Sequence, residues 1–449
     1  MILLTNANAK HIPLADDSVN CVVTSPPYYG LRDYGTAEWV GGDHECDHIN
    51  GTLQSDKSTL HPGTAHNDKR NFDGMPYHDA CGKCGAIRVD KQIGLEQSPD
   101  EYVEAMCQVF DEIWRVLRDD GTVWLNLGDS YAGGGGASGH TAETTNCGRR
   151  TSTYGAIATG GKTYGLKPKD LIGIPWRVAF ALQARDWYLR QDIIWHKPNP
   201  MPESVKDRCT KAHEYIFLLT KNARYWYDYE AIKEPQQETS RERLLRGWNG
   251  NGDRGYPDGP QNHLRNYMGS FDSIDETPSG RNKRSVWTVT TKPYPGSHYA
   301  VFPPDLIEPC VLAGCPETVC AKCGAPYERV VERKDRPYVA PSELDRYGTG
   351  DAGVHRNIGG QYTKWLAENP DIDKGFQPTC TCDAGTKAGV VLDPFVGSGT
   401  TCMVARKHRR NAIGLDLNFE YLNINARERL QYGGYVPVAD GITQLTLEA

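Results

Sequence analysis

The segment spanning residues 390–416 constrains the fold of this 449-residue chain more than any other. It contains a short apolar run ending at Asp393, a glycine-rich turn, a helical stretch to Lys407 and a second apolar run ending at Asp416. This strand, helix and strand order is typical of an α/β sheet. No lysine follows the last glycine and the dinucleotide pattern Gly-x-Gly-x-x-Gly is missing, so the ligand is not a polyphosphate. A carboxylate at the second strand end predicts a nucleoside site, because ribose hydroxyls are usually held there.

A second motif, Ser25-Pro26-Pro27-Tyr28, follows the apolar run of residues 21–24. Each proline lacks an N–H and fixes φ, so the motif predicts a loop that leaves a buried strand. Its carbonyl groups and the Ser25 hydroxyl can accept hydrogen bonds from an exocyclic amino group, and Tyr28 offers a flat face for a base. Taken alone, the motif favours an ordinary proline-rich turn with a packing tyrosine, and its pairing with the segment at 390–416 reverses that interpretation.

Together the two motifs make the chain resemble the S-adenosylmethionine-dependent amino-methyltransferases of DNA, in the subgroup whose catalytic motif precedes the cofactor motif. The resemblance implies that a catalytic loop binds the flipped base through Ser25, Pro26, Pro27 and Tyr28. It also implies cofactor contacts by Asp393, Pro394, Phe395, Gly397, Ser398, Gly399, Thr400 and Asp416. Residues 297–304 look like the family's other cofactor motif, which adds His298, Ala300, Phe302 and Pro303.

The resemblance implies a Rossmann-like α/β fold with a circularly permuted motif order, in which both loops lie at one carboxyl edge of the sheet. The expected reaction is direct transfer of the sulfonium methyl group to an exocyclic amino nitrogen of a flipped base. Serine before Pro-Pro-Tyr, preceded by Val-Thr, resembles the cytosine-N4 branch, although adenine-N6 enzymes with serine also occur. The alternative is a non-catalytic DNA-binding protein. In such a protein we would expect one of the two motifs to be damaged, and both are intact in this sequence.

The chain is long enough for two or three domain-sized units, or for one large domain with insertions. We expect the methyltransferase core in residues 1–40, 91–231, 284–316 and 386–449, with the cofactor half last. Residues 131–164 are rich in glycine and predict a mobile loop, which is either a flap over DNA or a flexible connection. Ser98 and Glu101 form a capping box for a helix that Asp119-Asp120-Gly121 should end.

Two of the three predicted insertions carry cysteine pairs at the spacing of zinc ligands. The insertion at 317–385 resembles a zinc ribbon, with four thiolates from Cys320, Cys323, Cys380 and Cys382. The insertion at 41–90 supplies Cys46, Cys81 and Cys84, with His48 or His44 as the fourth ligand. Four protein ligands leave no open position for water, so we expect two structural zinc ions.

The third insertion, residues 232–283, is polar and rich in arginine, and we expect it to recognise double-stranded DNA. The net charge of −7 does not contradict this, because a local basic face is compatible with an acidic total. Candidate DNA contacts are Arg281, Lys283, Arg284 and, in a family-like segment, Lys197. No apolar run approaches the roughly 20 residues that span a bilayer, so we expect a cytoplasmic protein, encoded by a prokaryote or a phage. A cognate restriction endonuclease and the oligomeric state are left open.

Overall fold

A computed structural model describes residues 1–30, 36–46, 81, 83–96, 98–132, 166–235, 281–292, 301–332, 372–434 and 436–438. The chain forms two compact units. The first comprises Met1–Tyr227, Arg284–Glu317 and Ala388–Ala449, and the second comprises Asp228–Lys283 and Thr318–Lys387. Among the described helices, none combines the length and apolarity needed to cross a lipid bilayer.

The described strands, in chain order, are β1 (Ile2–Asn6), β2 (Val19–Thr24), β3 (Glu38–Val40), β4 (Ile87–Val89), β5 (Leu117–Leu127), β6 (Tyr188–His196), β7 (His213–Thr220), β8 (Val286–Thr288), β9 (Val319–Cys320), β10 (Tyr327–Glu332), β11 (Ile372–Pro378), β12 (Thr386–Lys387), β13 (Val390–Asp393) and β14 (Asn411–Asp416). The described α-helices are α1 (Pro99–Val116), α2 (Ile174–Gln183), α3 (Pro304–Gly314), α4 (Thr400–Lys407) and α5 (Arg427–Arg429). A 3₁₀ turn spans Glu230–Ile232, and a π-helix spans Tyr421–Ala426.

The first unit is built on an eight-stranded sheet in the order β1-β14-β13-β2-β5-β7-β6-β8. Strand β7 is antiparallel to both of its neighbours, and the other pairs are parallel. The central strands β2 and β13 are buried along their whole length, as expected for parallel strands covered on both faces. This sheet confirms the predicted α/β fold with a permuted motif order.

Helix α1 begins where the sequence predicts and ends earlier. The Ser98 hydroxyl accepts a hydrogen bond from the Glu101 N–H at 3.2 Å, and Pro99 occupies the first turn. The helix ends at Val116, because Leu117 already pairs with Val19 of β2 and opens β5. The predicted stop at residues 119–121 was therefore wrong, and those residues lie inside the strand.

The second unit contains two small antiparallel sheets, β10 with β11 and β9 with β12. Strand β9 ends at Cys320, which pairs with Thr386 of β12. The Ala321 N–H then donates to the Gly385 carbonyl at 2.8 Å, so the first cysteine pair of this unit begins on a hydrogen-bonded strand end. In the same unit, Glu234 and Arg281 form an isolated antiparallel bridge.

Candidate active site

The two sequence motifs meet at one edge of the sheet. Strands β2 and β13 are parallel neighbours, with Val391 opposite Cys21 and Leu392 opposite Val22. The loops that follow the two strands therefore leave the sheet side by side. The Thr24 hydroxyl donates to Oδ1 of Asp393 at 2.7 Å, a bond between residues 369 positions apart in the sequence. Wide separation in sequence thus becomes direct contact in the fold.

Asp393 is buried at the centre of this contact, with 1% of its surface exposed. Its Oδ2 accepts from the Thr401 hydroxyl at 2.6 Å, and its Oδ1 also accepts from the Phe395 N–H at 3.1 Å. Burial raises the pKa of this carboxyl to about 6, although all three donors favour the ionised form. Because the carboxylate is buried and faces donors from both loops, Asp393 ties the two loops to the start of α4.

The glycine-rich turn after β13 is shaped for close approach of a ligand. Gly397 and Gly399 have φ values of 47° and 80°, in the left-handed region that glycine adopts without strain. Arg429 steadies the turn by donating to the hydroxyls of Ser398 at 2.8 Å and Thr400 at 2.7 Å. Ser398 and Thr400 are themselves almost fully buried. Their side chains therefore support the turn from within the protein.

Asp416 ends β14, the strand beside β13. Its Oδ2 accepts from the Gly397 N–H at 3.0 Å, and its Oδ1 accepts from the Asn418 N–H at 2.8 Å. Burial raises the pKa of this carboxyl to about 6. A carboxylate oxygen can accept more than one hydrogen bond, so each oxygen keeps capacity for a ribose hydroxyl. The donor set and the glycine turn together fit a nucleoside cofactor.

The Ser-Pro-Pro-Tyr loop places Tyr28 against the end of β5. Its hydroxyl donates to Oε2 of Glu214 at 2.8 Å and lies 3.1 Å from Oδ1 of Asn126. A Cβ atom at Gly128 would come within 2.5 Å of the tyrosine ring, so the chain can carry only glycine there without moving the ring. Burial and the charge of Glu214 raise the pKa of the Tyr28 hydroxyl well above its usual value, which keeps the hydroxyl a donor.

The same loop is held from its other side. The Tyr102 hydroxyl of α1 donates to the Pro27 carbonyl at 2.9 Å. The Gly30 N–H donates to the Gly94 carbonyl at 2.9 Å, which closes the excursion of the chain between these two residues. The loop is therefore pinned before and after Tyr28.

The chain matches a known protein family over most of its length. The DNA methylase family of N6- and N4-methyltransferases matches residues 19–319 and 383–427. The chain belongs to this family. It is an S-adenosylmethionine-dependent amino-methyltransferase of DNA, as the paired motifs predict.

Curated relatives extend over most of the methyltransferase. It is 33% identical over 429 residues to the Type II methyltransferase M.SmaI of Serratia marcescens, covering 96% of this chain and 90% of that protein. It is also 33% identical over 420 residues to the Type II methyltransferase M.Cfr9I of Citrobacter freundii, covering 93% of this chain and 83% of that protein. A solved structure described as PvuII DNA methyltransferase (cytosine-N4-specific) has a TM-score of 0.44 and 12% identity, covering 98% of this chain and 90% of that chain.

Glu214 and Asn126 of the methyltransferase contact Tyr28, Asp129 follows the end of β5, and sequence reasoning missed all three. Asn126 donates to the Tyr215 carbonyl at 3.0 Å, and its side chain is buried beside Tyr28. Asp129 accepts from the Gly173 and Ile174 N–H groups at 3.0 Å each, which caps the start of α2. The signal in the sequence that could have indicated these residues is a polar side chain close to the end of an apolar strand.

Several of the residues predicted to contact DNA have hydrogen-bond or ion-pair partners within the protein. Lys197 forms an ion pair with Glu214 and lies 4.1 Å from the ring centroid of Trp195. Arg281 pairs with Glu234 at 3.1 Å, and the Arg284 carbonyl accepts from the indole of Trp287 at 2.7 Å. Most of the basic insertion, residues 236–280, lies outside the described residues, as do residues 133–165 of the glycine-rich segment. The DNA contacts therefore stay predictions.

Only part of the second cofactor motif is described. His298 and Ala300 lie outside the described residues. Phe302 and Pro303 come directly before α3, and Pro303 is buried. Their contact with the cofactor stays a prediction.

Both cysteine groups come together in the structure. The thiols of Cys320, Cys323, Cys380 and Cys382 all lie within 4.8 Å of one another, and so do those of Cys46, Cys81 and Cys84. Four thiolates in one cluster fit the tetrahedral coordination of zinc. His48, a predicted fourth ligand of the first cluster, lies outside the described residues.

Proposed function

We propose that this methyltransferase transfers the methyl group of S-adenosylmethionine to N4 of a cytosine that is swung out of double-stranded DNA at a specific sequence. The proposal is carried by one observation, the adjacency of the Ser-Pro-Pro-Tyr loop and the glycine-rich turn, joined by the bond from Thr24 to Asp393. A base bound at the first loop and a nucleoside cofactor bound at the second would place their reacting atoms side by side.

In this mechanism the Ser25 hydroxyl and the Pro26 carbonyl accept hydrogen bonds from the amino group of the base. An aromatic amino nitrogen is a weak nucleophile, because its lone pair is delocalised into the ring. Acceptors in these positions favour a more tetrahedral nitrogen and so stabilise the transition state. Tyr28 stacks on the base, and Asp416 holds the ribose of the cofactor. The remaining predicted contacts, from the glycine-rich turn, Phe302 and Pro303, surround the cofactor, which supplies an electrophilic methyl group.

Methylation of a ring carbon is disfavoured by the chemistry of the cysteines. Enzymes that methylate cytosine carbon attack the ring covalently with a cysteine. The sequence contains one Pro-Cys pair, Pro309-Cys310. It lies within α3, and Cys310 is only 1% exposed. A thiol in this position cannot reach a base.

Adenine N6 is the second candidate acceptor, because the Ser-Pro-Pro-Tyr motif also occurs in adenine enzymes. Unmethylated plasmid should be incubated with the protein and cofactor, digested to nucleosides and analysed by mass spectrometry against authentic standards. The proposal expects N4-methyldeoxycytidine. N6-methyldeoxyadenosine would move the assignment to the alternative, and unmodified DNA would refute both. The Ser25→Ala variant serves as the matched control for contaminating activity.

We further propose that both cysteine clusters hold structural zinc and that residues 232–283 read the DNA sequence. The thiol clusters support the first part. The four thiols of one cluster would leave no coordination site open, and the other supplies three thiols, for which His44 or His48 is the predicted fourth ligand. The relatives are named Type II methyltransferases, which supports a role beside a cognate restriction endonuclease, and action as an orphan enzyme without one is the alternative. Elemental analysis of the purified protein tests the zinc, and footprinting on methylatable DNA tests the recognition segment.

A further inference from the structure

We infer that Glu214, held by Lys197, is a positioning residue that fixes Tyr28 and, through it, the Ser25 hydroxyl for catalysis. The inference rests on the proposed function, in which Tyr28 stacks on the base and Ser25 accepts a hydrogen bond from its amino group. It adds to that function a residue from the opposite side of the site, on β7.

The direction of the hydrogen bonds carries the inference. A tyrosine hydroxyl has one proton, and two acceptors face that of Tyr28, Oε2 of Glu214 at 2.8 Å and Oδ1 of Asn126 at 3.1 Å. The carboxylate is the nearer and the charged acceptor, so we take it as the one that receives the proton. The oxygen of Tyr28 then has lone pairs left, and the Ser25 hydroxyl points its proton toward them at 3.4 Å. With its proton turned toward Tyr28, Ser25 presents its own lone pairs as acceptors. Glu214 therefore sets which way Ser25 can bond.

The position of Glu214 is itself fixed by two strands and an ion pair. It is the second residue of β7 and lies opposite Trp195 of β6, while its neighbour Tyr215 lies opposite Leu127 of β5. Its Oε1 atom bonds to the ammonium group of Lys197. The Lys197 and Glu214 side chains are only 18% and 15% exposed. Little water competes for this ion pair, and a hydrogen bond from Tyr28 to a carboxylate oxygen is charge-assisted.

The same contacts fix the orientation of the Tyr28 ring. Its hydroxyl is anchored at Glu214, and its edge lies where a Cβ at residue 128 would collide with it. A base that stacks on this ring meets a surface that cannot rotate away. Loss of the anchor should leave the aromatic face in place but allow it to tilt, which weakens the transition state more than it weakens the binding of DNA or cofactor.

The test uses two variants that remove the charge-assisted bond from opposite sides, together with the double variant. Tyr28→Phe lacks the donor, and Glu214→Gln keeps an acceptor oxygen but lacks its charge. Single-turnover methylation of an unmethylated duplex, the Kd of S-adenosylmethionine and the Tm should be measured for each. Tyr215→Phe is the matched control, because it removes a hydroxyl from the adjacent tyrosine, whose ring stacks on Phe217. We expect each single variant to slow transfer roughly 10- to 100-fold, from the typical strength of hydrogen bonds to charged groups.

A positioning role makes the double variant no slower than the slower single variant, because both changes remove one interaction. The Kd of the cofactor should stay within about twofold of wild type. Transfer rates within twofold of wild type for Tyr28→Phe, or rates that multiply in the double variant, would overturn the inference. An inactive wild-type protein would instead overturn the proposed function on which it rests. If Glu214→Gln unfolds, Tyr28→Phe alone still decides the question.

Discussion

The buried carboxyl of Asp393 allows a quantitative prediction about stability. Asparagine at this position should stabilise the protein at neutral pH, although the aspartate accepts three hydrogen bonds. Asparagine keeps one oxygen for Thr24 and the Phe395 N–H. Its amide can donate to Thr401, whose hydroxyl can turn to the Val23 carbonyl at 3.3 Å. Every buried polar group therefore keeps a partner, and the buried charge is gone.

The magnitude follows from the pKa of this carboxyl, which rises from 3.8 to about 6 in the fold. The folded state holds its proton more tightly than the unfolded state, so the contribution of Asp393 is most favourable below about pH 4 and is lost as the pH rises through about 6. Above both values the loss is about 3 kcal/mol, at 1.36 kcal/mol per pKa unit. Asp393→Asn does not ionise, so at pH 7.5 it should exceed wild type by up to about 3 kcal/mol, or a few degrees in Tm.

The assay is thermal unfolding of wild type and Asp393→Asn at pH 5, 6 and 7.5, followed by circular dichroism. The difference in Tm should grow with pH in favour of the variant. Asp192→Asn, at an exposed aspartate on β6, is the control for the substitution itself. Asp393→Ala should fall below Asp393→Asn at every pH, because each unpaired buried donor costs about 1–3 kcal/mol. A constant difference between wild type and Asp393→Asn across this range would refute the reasoning.

Three further predictions concern the catalytic loop, the cysteines and the basic residues. Ser25→Ala should cut methyl transfer roughly 100-fold while calorimetry shows unchanged cofactor binding, and a parallel loss of both would contradict the assigned role. Elemental analysis should find two zinc ions per chain, and a folded protein without metal would sink the zinc assignment. Charge reversal at Arg281 and Arg284 should weaken DNA binding and lower its salt slope by about 2, whereas unchanged anisotropy titrations would count against a role in recognition.

The fold around the two motifs could be predicted from sequence because its signals are local. An apolar strand followed by Pro-Pro, or by glycines that permit positive φ, defines a loop without knowledge of distant residues. Parallel strands place their carboxyl ends at one edge, so the meeting of the loops after β2 and β13 followed from fold class alone. The same locality made the start of α1 predictable from Ser98 and Glu101.

The rest depends on strand pairing, which the sequence does not reveal locally. Helix α1 ends at Val116 because Leu117 is recruited into the sheet by Val19, almost one hundred positions earlier. Glu214 looks like a polar residue at the edge of an apolar strand. It reaches Tyr28 only because β7 inserts between β5 and β6 in the antiparallel sense. Tyr28 and Glu214 are 186 positions apart, and no rule based on sequence spacing connects residues at that separation.

For Lys197, the prediction from the sequence and the contacts in the fold point to different roles. The sequence places it in a basic, family-like segment and so predicts a contact with DNA. In the fold its ammonium group already neutralises Glu214, and the pair is largely shielded from water. A phosphate could draw this lysine away only by leaving the Glu214 carboxylate without its partner in a poorly hydrated place, which is costly. The same charge cannot serve both purposes at full strength. The structure therefore favours an inward role, in which Lys197 pairs with Glu214 and Glu214 holds the Tyr28 hydroxyl.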